Sequence, residues 1–161
     1  MLMMKRDTLF FIAFALILFM SGSCSNSTIG ELTGTGNLTS HRYAYVSPTT
    51  QTTSGFCVNG HVTASVFNPS DMISAEFICR GFVVLPVLPD STLLPYTIIV
   101  NYGEKSVRKS GDRYAADVVI QSISAADYSV IMFGEAVEYG DSEIEAKRIA
   151  VENCLRKMFR K

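Results

Sequence analysis

The chain has little of what most functional classes need. Its 161 residues carry 14 Lys and Arg against 15 Asp and Glu, and only two histidines. This near-neutral balance does not favour nucleic-acid binding, which calls for a basic surface. The glycine patterns of dinucleotide and phosphate loops, and the Gly-x-Ser-x-Gly turn of hydrolases, are absent. We therefore expect no cofactor and no metal site.

Long apolar runs are equally scarce, and the longest lies near the start of the chain. Lys5 and Arg6 precede twelve apolar residues, Leu9–Met20, which are followed by Ser21-Gly22-Ser23. Twelve helical residues rise about 18 Å, well short of the roughly 30 Å hydrocarbon core, so a transmembrane helix is disfavoured. A positive segment, a short apolar segment and small residues are typical of a secretory signal. We predict that residues 1–23 are a signal peptide.

The next residue, Cys24, bears on the cellular location of the mature protein. The stretch Ser21-Gly22-Ser23-Cys24 resembles the cleavage site of bacterial lipoprotein signals, in which the cysteine is diacylated and becomes the mature N-terminus. The resemblance implies lipidation of Cys24 and export to the cell envelope, with the outer membrane as the expected location. Ordinary signal peptidase cleavage at the Ser23–Cys24 bond is the alternative, because both serines are small.

The mature chain that begins at Cys24 has the length of one ordinary domain, 138 residues. It carries 12 basic and 14 acidic residues, a net charge of −2, so membrane attachment would depend on the acyl chains. Residues 24–40 are rich in Ser, Thr, Gly and Asn, which predicts a flexible tether. Residues 41–161 are predicted to form a single domain.

The first predicted helix has signals at both ends. Asn68 can cap it, Pro69 suits the first helical position, and Gly81 suits a left-handed residue after its last turn. We therefore expect a helix between Asn68 and Gly81.

The C-terminal segment predicts a second, amphipathic helix. Ser142 and Glu145 form a capping box at its start. Lys147 and Arg148 are expected to lie on its solvated outer face. An apolar stripe is expected to pack on the sheet, formed by Ile144, Val151, Leu155, Met158 and Phe159.

The rest of the chain reads as strands and connections. Residues 43–46 suit a strand, and the Thr-rich residues 49–66 suggest a loop or a loose hairpin. Residues 82–89 suggest a buried strand or a strand-like run that Pro86 and Pro89 break. Residues 96–103 suggest one more strand, and 104–112 an exposed turn. Two long antiparallel strands are then predicted within residues 113–140, where Gly134 suggests a bulge or a close contact.

This order predicts an α+β fold, a two-layer sandwich in the order β-α-β-β-β-β-α. We expect a mostly antiparallel sheet of about five strands, covered on one face by the two helices. The first strand, the first helix and the strand after it could form a parallel crossover.

Several of these segments together resemble a known group of proteins. The stretches NPSDMIS…RGFVVLP, TIIVNYGE, YAADVVIQ and GEAVEYGDSEIEAKRIAVENCLRKMF resemble an uncharacterised family of small Bacteroides-type envelope lipoproteins. The resemblance covers roughly residues 43–159 and implies a lipid-anchored envelope protein with an α+β fold. Its motifs are structural, and it implies no active site.

Two pairs of side chains are candidates for catalysis. Cys57 and His61 have the types of a thiol–imidazole pair or of half a metal site, although a structural zinc site needs four ligands. Asp117 and Glu135 could face one another across the long hairpin as an acid and a base. A loop thiol and ordinary exposed carboxylates are the alternatives that we favour.

The remaining cysteines and one loop raise questions of covalent chemistry. Cys79 and Cys154 lie in predicted helices and are expected to be buried, so we favour no obligatory disulfide among them and Cys57. Asp90-Ser91-Thr92 resembles an O-glycosylation acceptor of exported Bacteroides-type proteins, which would place a glycan on Ser91.

These observations favour a lipid-anchored envelope protein that binds another protein or a glycan and is not an enzyme. A small envelope hydrolase, using one of the two candidate pairs, is the alternative from the enzyme class. A structural or assembly module that forms oligomers through an exposed strand edge is the third possibility.

Overall fold

The computed structural model describes residues 38–58 and 61–159, apart from the side chains of residues 39, 56–58 and 61–63. The described residues form seven strands and two α-helices. In chain order these are β1 (Tyr43–Val46), β2 (Thr52–Val58), β3 (His61–Phe67), α1 (Pro69–Cys79), β4 (Val83–Leu85), β5 (Thr97–Ser110), β6 (Arg113–Ser124), β7 (Val130–Gly140) and α2 (Glu143–Met158). The predicted α+β class is confirmed.

Five strands form the main sheet, in the order β4-β1-β5-β6-β7. The short strand β1 lies between β4 and β5 and is parallel to both. The long strands β5, β6 and β7 are antiparallel to one another and supply most of the ladder. The predicted parallel crossover is confirmed, because the chain leaves β1, passes through α1 and returns as β4 beside β1.

Local signals set the ends of α1, as the sequence predicted. The Asn68 side chain caps the helix by accepting a hydrogen bond from the Ser70 backbone N–H at 3.3 Å, and Pro69 follows at the first helical position. At the other end Gly81 has a φ of +89°, a backbone conformation that glycine adopts without steric cost. The helix therefore begins and ends where its residue types allow.

The C-terminal helix α2 also begins at its predicted cap. Ser142 Oγ accepts a hydrogen bond from the Glu145 backbone N–H at 3.2 Å. The reciprocal bond differs from a standard capping box, because Glu145 Oε2 accepts from the Asp141 backbone N–H, at 2.9 Å, one residue before the cap. Two backbone N–H groups at the start of the helix therefore still have hydrogen-bond acceptors.

The core lies between the sheet and the two helices. From the sheet it takes alternate residues, among them Val118 and Ile120 of β6, and from α2 it takes Val151 and Leu155. Gly134 of β7 allows the close approach of α2, because a Cβ there would lie 2.7 Å from Met158 Cγ. The prediction of a close contact at Gly134 is confirmed.

Residues 49–66, predicted as a loop or a loose hairpin, contain a hairpin: β2 and β3 pair antiparallel, form a separate two-stranded sheet and contact α2. One feature of the strands differs from the prediction. Residues 104–110, predicted as a turn, instead extend β5 to Ser110. A bulge between Glu104 and Ser106 lets the strand continue although its side-chain alternation is interrupted.

Candidate functional site

Both helices pack on one face of the main sheet, and the other face is the candidate binding site. We call it the open face. Along β5, β6 and β7 its side chains alternate with those of the core, because successive strand residues point to opposite sides. Its larger apolar members from these three strands include Ile99, Val119, Ile123, Phe133, Val137 and Tyr139.

The composition of the open face is unusual for a surface in contact with water. An antiparallel sheet with one solvated face normally alternates apolar inward and polar outward residues. On β6 the outward residues Val119 and Ile123 are apolar and half-buried, and the same holds for Phe133 and Val137 of β7. The outward positions thus resemble those of a face that is covered.

The pairing register of neighbouring strands places the side chains of the open face in rows across the sheet. Leu85, Tyr45, Ile99 and Ile123 follow one another from β4 to β6 and form an apolar row. The next row is more polar.

That second row runs through Asn101, Gln121 and Phe133. At its start, Ser47 Oγ donates a hydrogen bond to Asn101 Oδ1 at 2.7 Å. The Ser47 contact holds the Asn101 carbonyl oxygen, so the orientation of this amide is set before any ligand arrives.

Charged side chains lie at one end of the open face. Lys105, the extra residue of the β5 bulge, forms an ion pair with Glu135 of β7, with Nζ 2.5 Å from Oε1. The hydrogen bond with Glu135 raises the pKa of Lys105, and the nearby Asp117 carboxylate adds to the attraction. Asp117 Oδ1 is buried and has no hydrogen-bond partner among the described residues.

The candidate acid–base pair is therefore on one face, but it is not set up as a free pair. Register places Asp117 opposite Val137, and Glu135 opposite Val119, so the two carboxylates are diagonal neighbours. Glu135 is engaged in an ion pair with Lys105, so its carboxylate is not free to act as a base. The geometry adds no support to the hypothesis that this pair catalyses hydrolysis.

The second candidate pair, Cys57 and His61, lies on the β2–β3 hairpin. Register places Cys57 opposite Val62 and His61 opposite Val58, so the two residues are not directly paired. Their side chains lie outside the described residues, and the thiol–imidazole hypothesis stays a prediction. Among the residues that the structure describes, no group of three or more His, Cys, Asp or Glu could hold a metal ion.

The two described cysteines are both free. Cys154 is buried, as predicted, and its burial raises the pKa of the thiol to about 12. Cys79 is exposed, so the prediction that it is buried is wrong. It follows the exposed Ile78 at the end of α1 and lines a cleft of about 390 Å³ between the helices.

A buried cation on the helix-covered side was missed by the sequence analysis. Lys147, predicted to be solvated, is only 5% exposed. Its Nζ lies 2.8 Å from Glu143 Oε1 and 3.0 Å from Glu104 Oε2, and it donates to Thr52 Oγ1 at 3.0 Å. Lys147 therefore joins α2, β5 and the β2–β3 hairpin at one point.

The charge of Lys147 is maintained despite its burial. Burial lowers the pKa of this amine, but hydrogen bonds with Glu143 and Glu104 and their negative charges outweigh that effect, so the pKa is raised. Its position carried a usable signal, because Lys147 lies three residues after Ile144 and four before Val151, within the apolar stripe of α2.

The other predicted sites lie partly outside the described residues. Cys24, the predicted signal peptide and most of the predicted tether belong to the undescribed part of the chain. Ser91 is exposed in the loop before β5, where Asp90 Oδ1 accepts a hydrogen bond from Thr92 Oγ1 at 2.8 Å. Glycosylation of Ser91 stays a prediction.

Comparisons of the chain with protein-family models, with curated proteins and with solved structures find no match. The resemblance to Bacteroides-type envelope lipoproteins therefore stays a prediction. None of the helices in residues 38–58 and 61–159 is long and apolar enough to cross a membrane.

Proposed function

We propose that the chain is a lipid-anchored cell-envelope protein whose folded region binds another envelope protein through the open face, without catalysing a reaction. The observation that supports this most is the apolar character of outward positions on β6 and β7, where a solvated sheet normally carries polar side chains. Apolar side chains that stay partly exposed on one face of a sheet are typical of an interaction site.

The layout of the open face fits a protein partner. Apolar residues such as Ile99, Ile123 and Phe133 occupy its middle, and charged residues such as Lys105 and Asp117 lie toward one end. Protein interfaces have the same arrangement, with an apolar core and a polar rim. Five strands about 4.8 Å apart give a face about 20 Å across, which suits a small, transient interface.

The second part of the proposal concerns the cellular location of the protein and its lipid anchor. It is supported by the positive and apolar segments before Ser21-Gly22-Ser23 and by the cysteine that follows them. Intact mass of the exported chain, wild type against Cys24→Ala, tests it. We expect a mature N-terminus at Cys24 that carries acyl mass, which the variant lacks; an unmodified Cys24 contradicts the anchor.

Site-specific photo-cross-linking of the exported full chain tests the binding face. A benzoyl-phenylalanine at position 133 of the open face is compared with one at Tyr128, which is 68% exposed in the β6–β7 turn. We expect position 133 to give a discrete heavier adduct with an envelope protein, and position 128 to give none. A third placement at the exposed Arg148 of α2 controls for general proximity.

Three outcomes of this experiment contradict the proposal. Equal adducts from positions 133 and 128 would show that contact is not specific to the open face. No adduct from position 133 would show that the face is unoccupied. An adduct that glycosidase removes, and protease leaves, would identify a glycan as the ligand instead of a protein.

A further inference from the structure

The two edges of the main sheet differ greatly in length. At one edge β4 has only three residues, whereas at the other β7 has eleven, Val130–Gly140, and within residues 38–58 and 61–159 it pairs with β6 alone. An edge strand of this length presents a row of backbone groups that can pair with another strand. β7 is therefore the edge at which a further strand could add.

Hydrogen bonding along the sheet identifies which backbone groups of β7 point away from β6. Ala125 N–H donates to Thr97 O of β5 at 2.9 Å, and Ser124 N–H donates to Ser129 O at 2.8 Å. The backbone N–H and C=O groups of the even-numbered β6 residues therefore bond to β7. The register places even-numbered residues of β7 opposite them, so their backbone groups point to β6. The outward backbone groups belong to residues 133, 135, 137 and 139.

Two cationic side chains of the same chain occupy carbonyls of this outward set. Lys157 of α2 reaches around the edge, and its Nζ donates to Glu135 O at 3.1 Å. Arg113 donates from a guanidinium nitrogen to Tyr139 O at 3.3 Å. Half of the four outward carbonyls are thus already used, and a Lys at the edge is one of the devices that discourage edge-to-edge pairing.

We infer that β7 is a self-association edge that Lys157 and Arg113 keep closed, and that its partner is the β7 of a second copy. The two strands would pair antiparallel about Ala136. That register joins position 133 of one copy to 139 of the other, and 135 to 137. It is the two-fold register in which all four outward residues find partners, and it forms about eight backbone hydrogen bonds.

The side chains at β7 suit this register and disfavour its neighbour. Phe133 meets the second copy's Tyr139, and Glu135 meets its Val137, so no like charges face one another. A two-fold centred on Glu135 would instead place two carboxylates opposite each other, which is destabilising. This complementarity of β7 with itself is the reason to assign the edge to a second copy.

The inference goes beyond the proposed function, because it concerns the sheet edge and not the open face. Lys157→Met removes the donor and keeps an apolar stem of similar length. Light scattering during size exclusion of the exported full chain in non-ionic detergent should find a monomeric wild type and a concentration-dependent dimer of the variant. Releasing one charge-assisted bond per copy should lower the dimer dissociation constant by a factor of about ten or more.

Two matched variants make the test specific. Lys157→Arg retains a donor and should stay monomeric. Val137→Pro, added to Lys157→Met, should abolish the dimer, because it removes an outward N–H that the β6 ladder does not use and so remains compatible with an edge strand. A monomeric Lys157→Met variant with a cooperative thermal transition overturns the inference. So does a dimeric wild type, or a dimer that Val137→Pro leaves intact.

Discussion

The two faces of the main sheet are built from neighbouring residues of the same strands, yet their surroundings differ. On the covered face, Ala116, Val118 and Ile120 of β6 are fully buried beneath the helices. On the open face, Val119 lies between two of these residues in the chain and is only half-buried. Both faces carry apolar side chains, so apolar composition alone does not distinguish the core from a binding surface.

The difference between the faces lies in how charge is accommodated. The covered face admits a buried cation, Lys147, which is held by Glu143, Glu104 and Thr52. The open face carries the Lys105–Glu135 ion pair, whose lysine is almost half exposed. Charge beneath the helices needs several partners, because unpaired burial is costly. For the Lys105–Glu135 pair on the open face, a single partner and water are enough.

The largest expected effect compares two adjacent residues of β6. Ile120→Ala on the covered face should lower the free energy of unfolding by about 3 kcal/mol, because it leaves a cavity among fully buried side chains. Val119→Ala on the open face should cost about 1 kcal/mol or less, since its side chain keeps contact with water. Urea unfolding of both variants measures the difference. Equal losses would mean that the open face is packed as firmly as the core.

The second prediction concerns the buried cation. Lys147→Met should lower the free energy of unfolding by about 1–2 kcal/mol, because it leaves Glu143 and Glu104 without their cation, and Glu104 then keeps, among the described residues, only the Tyr102 hydroxyl as a partner. The partial exposure of Glu104 and Glu143 reduces this cost relative to a fully buried pair. Arg148→Met, at the next residue on the exposed side of α2, is the matched control and should change stability little.

Hydrogen exchange adds a readout that locates the effect of Lys147. Loss of its hydrogen bond to Thr52 should increase exchange in β2 and β3, while β6 keeps its protection. Uniform loss of protection throughout the sheet would show that Lys147 supports the whole fold and does not specifically secure the hairpin.

The smallest expected change in the free energy of unfolding, taken per pH unit, occurs in alkaline solution. Burial raises the pKa of Cys154 from 9.0 to about 12, so the folded protein retains a proton that the unfolded chain loses. The stability from this group is present below about pH 9 and is lost as pH rises toward 12. The slope is at most about 1.4 kcal/mol per pH unit.

Urea unfolding between pH 8.5 and 11 checks this slope against Cys154→Ala. The raised pKa of Lys147 acts in the same direction, so the variant should retain part of the decline. An identical decline in both proteins would show that Cys154 does not contribute to it.

Elements with local signals could be predicted from the sequence. Helix ends are set by Asn68, Ser142 and Gly81. Each acts on backbone within a few residues of itself, and such short-range chemistry does not depend on the rest of the fold. The charge of Lys147 predicts a solvated side chain, whereas its position in the apolar stripe predicts a buried one. The position was the better guide, since two carboxylates from different elements stabilise the charge.

Features that depend on distant parts of the chain could not be predicted in the same way. The order of strands places β1 between two segments that come later in the chain. The bulge at Lys105 lengthens β5 through a charged stretch. Apolar residues such as Val119 were visible in the sequence, but only the placement of both helices on one face identifies them as accessible. The role of Lys157 at the edge likewise depends on where α2 crosses β7.

The interior position of β1 has a mechanical consequence. A pulling force applied to the N-terminal end of the chain reaches β1 first, and β1 is held by parallel neighbours on both sides, β4 and β5. A pull along the strand loads both ladders in shear, so their hydrogen bonds resist together instead of opening one after another. The first strand of the described region is thus held from both sides, through three register pairs with β4 and four with β5.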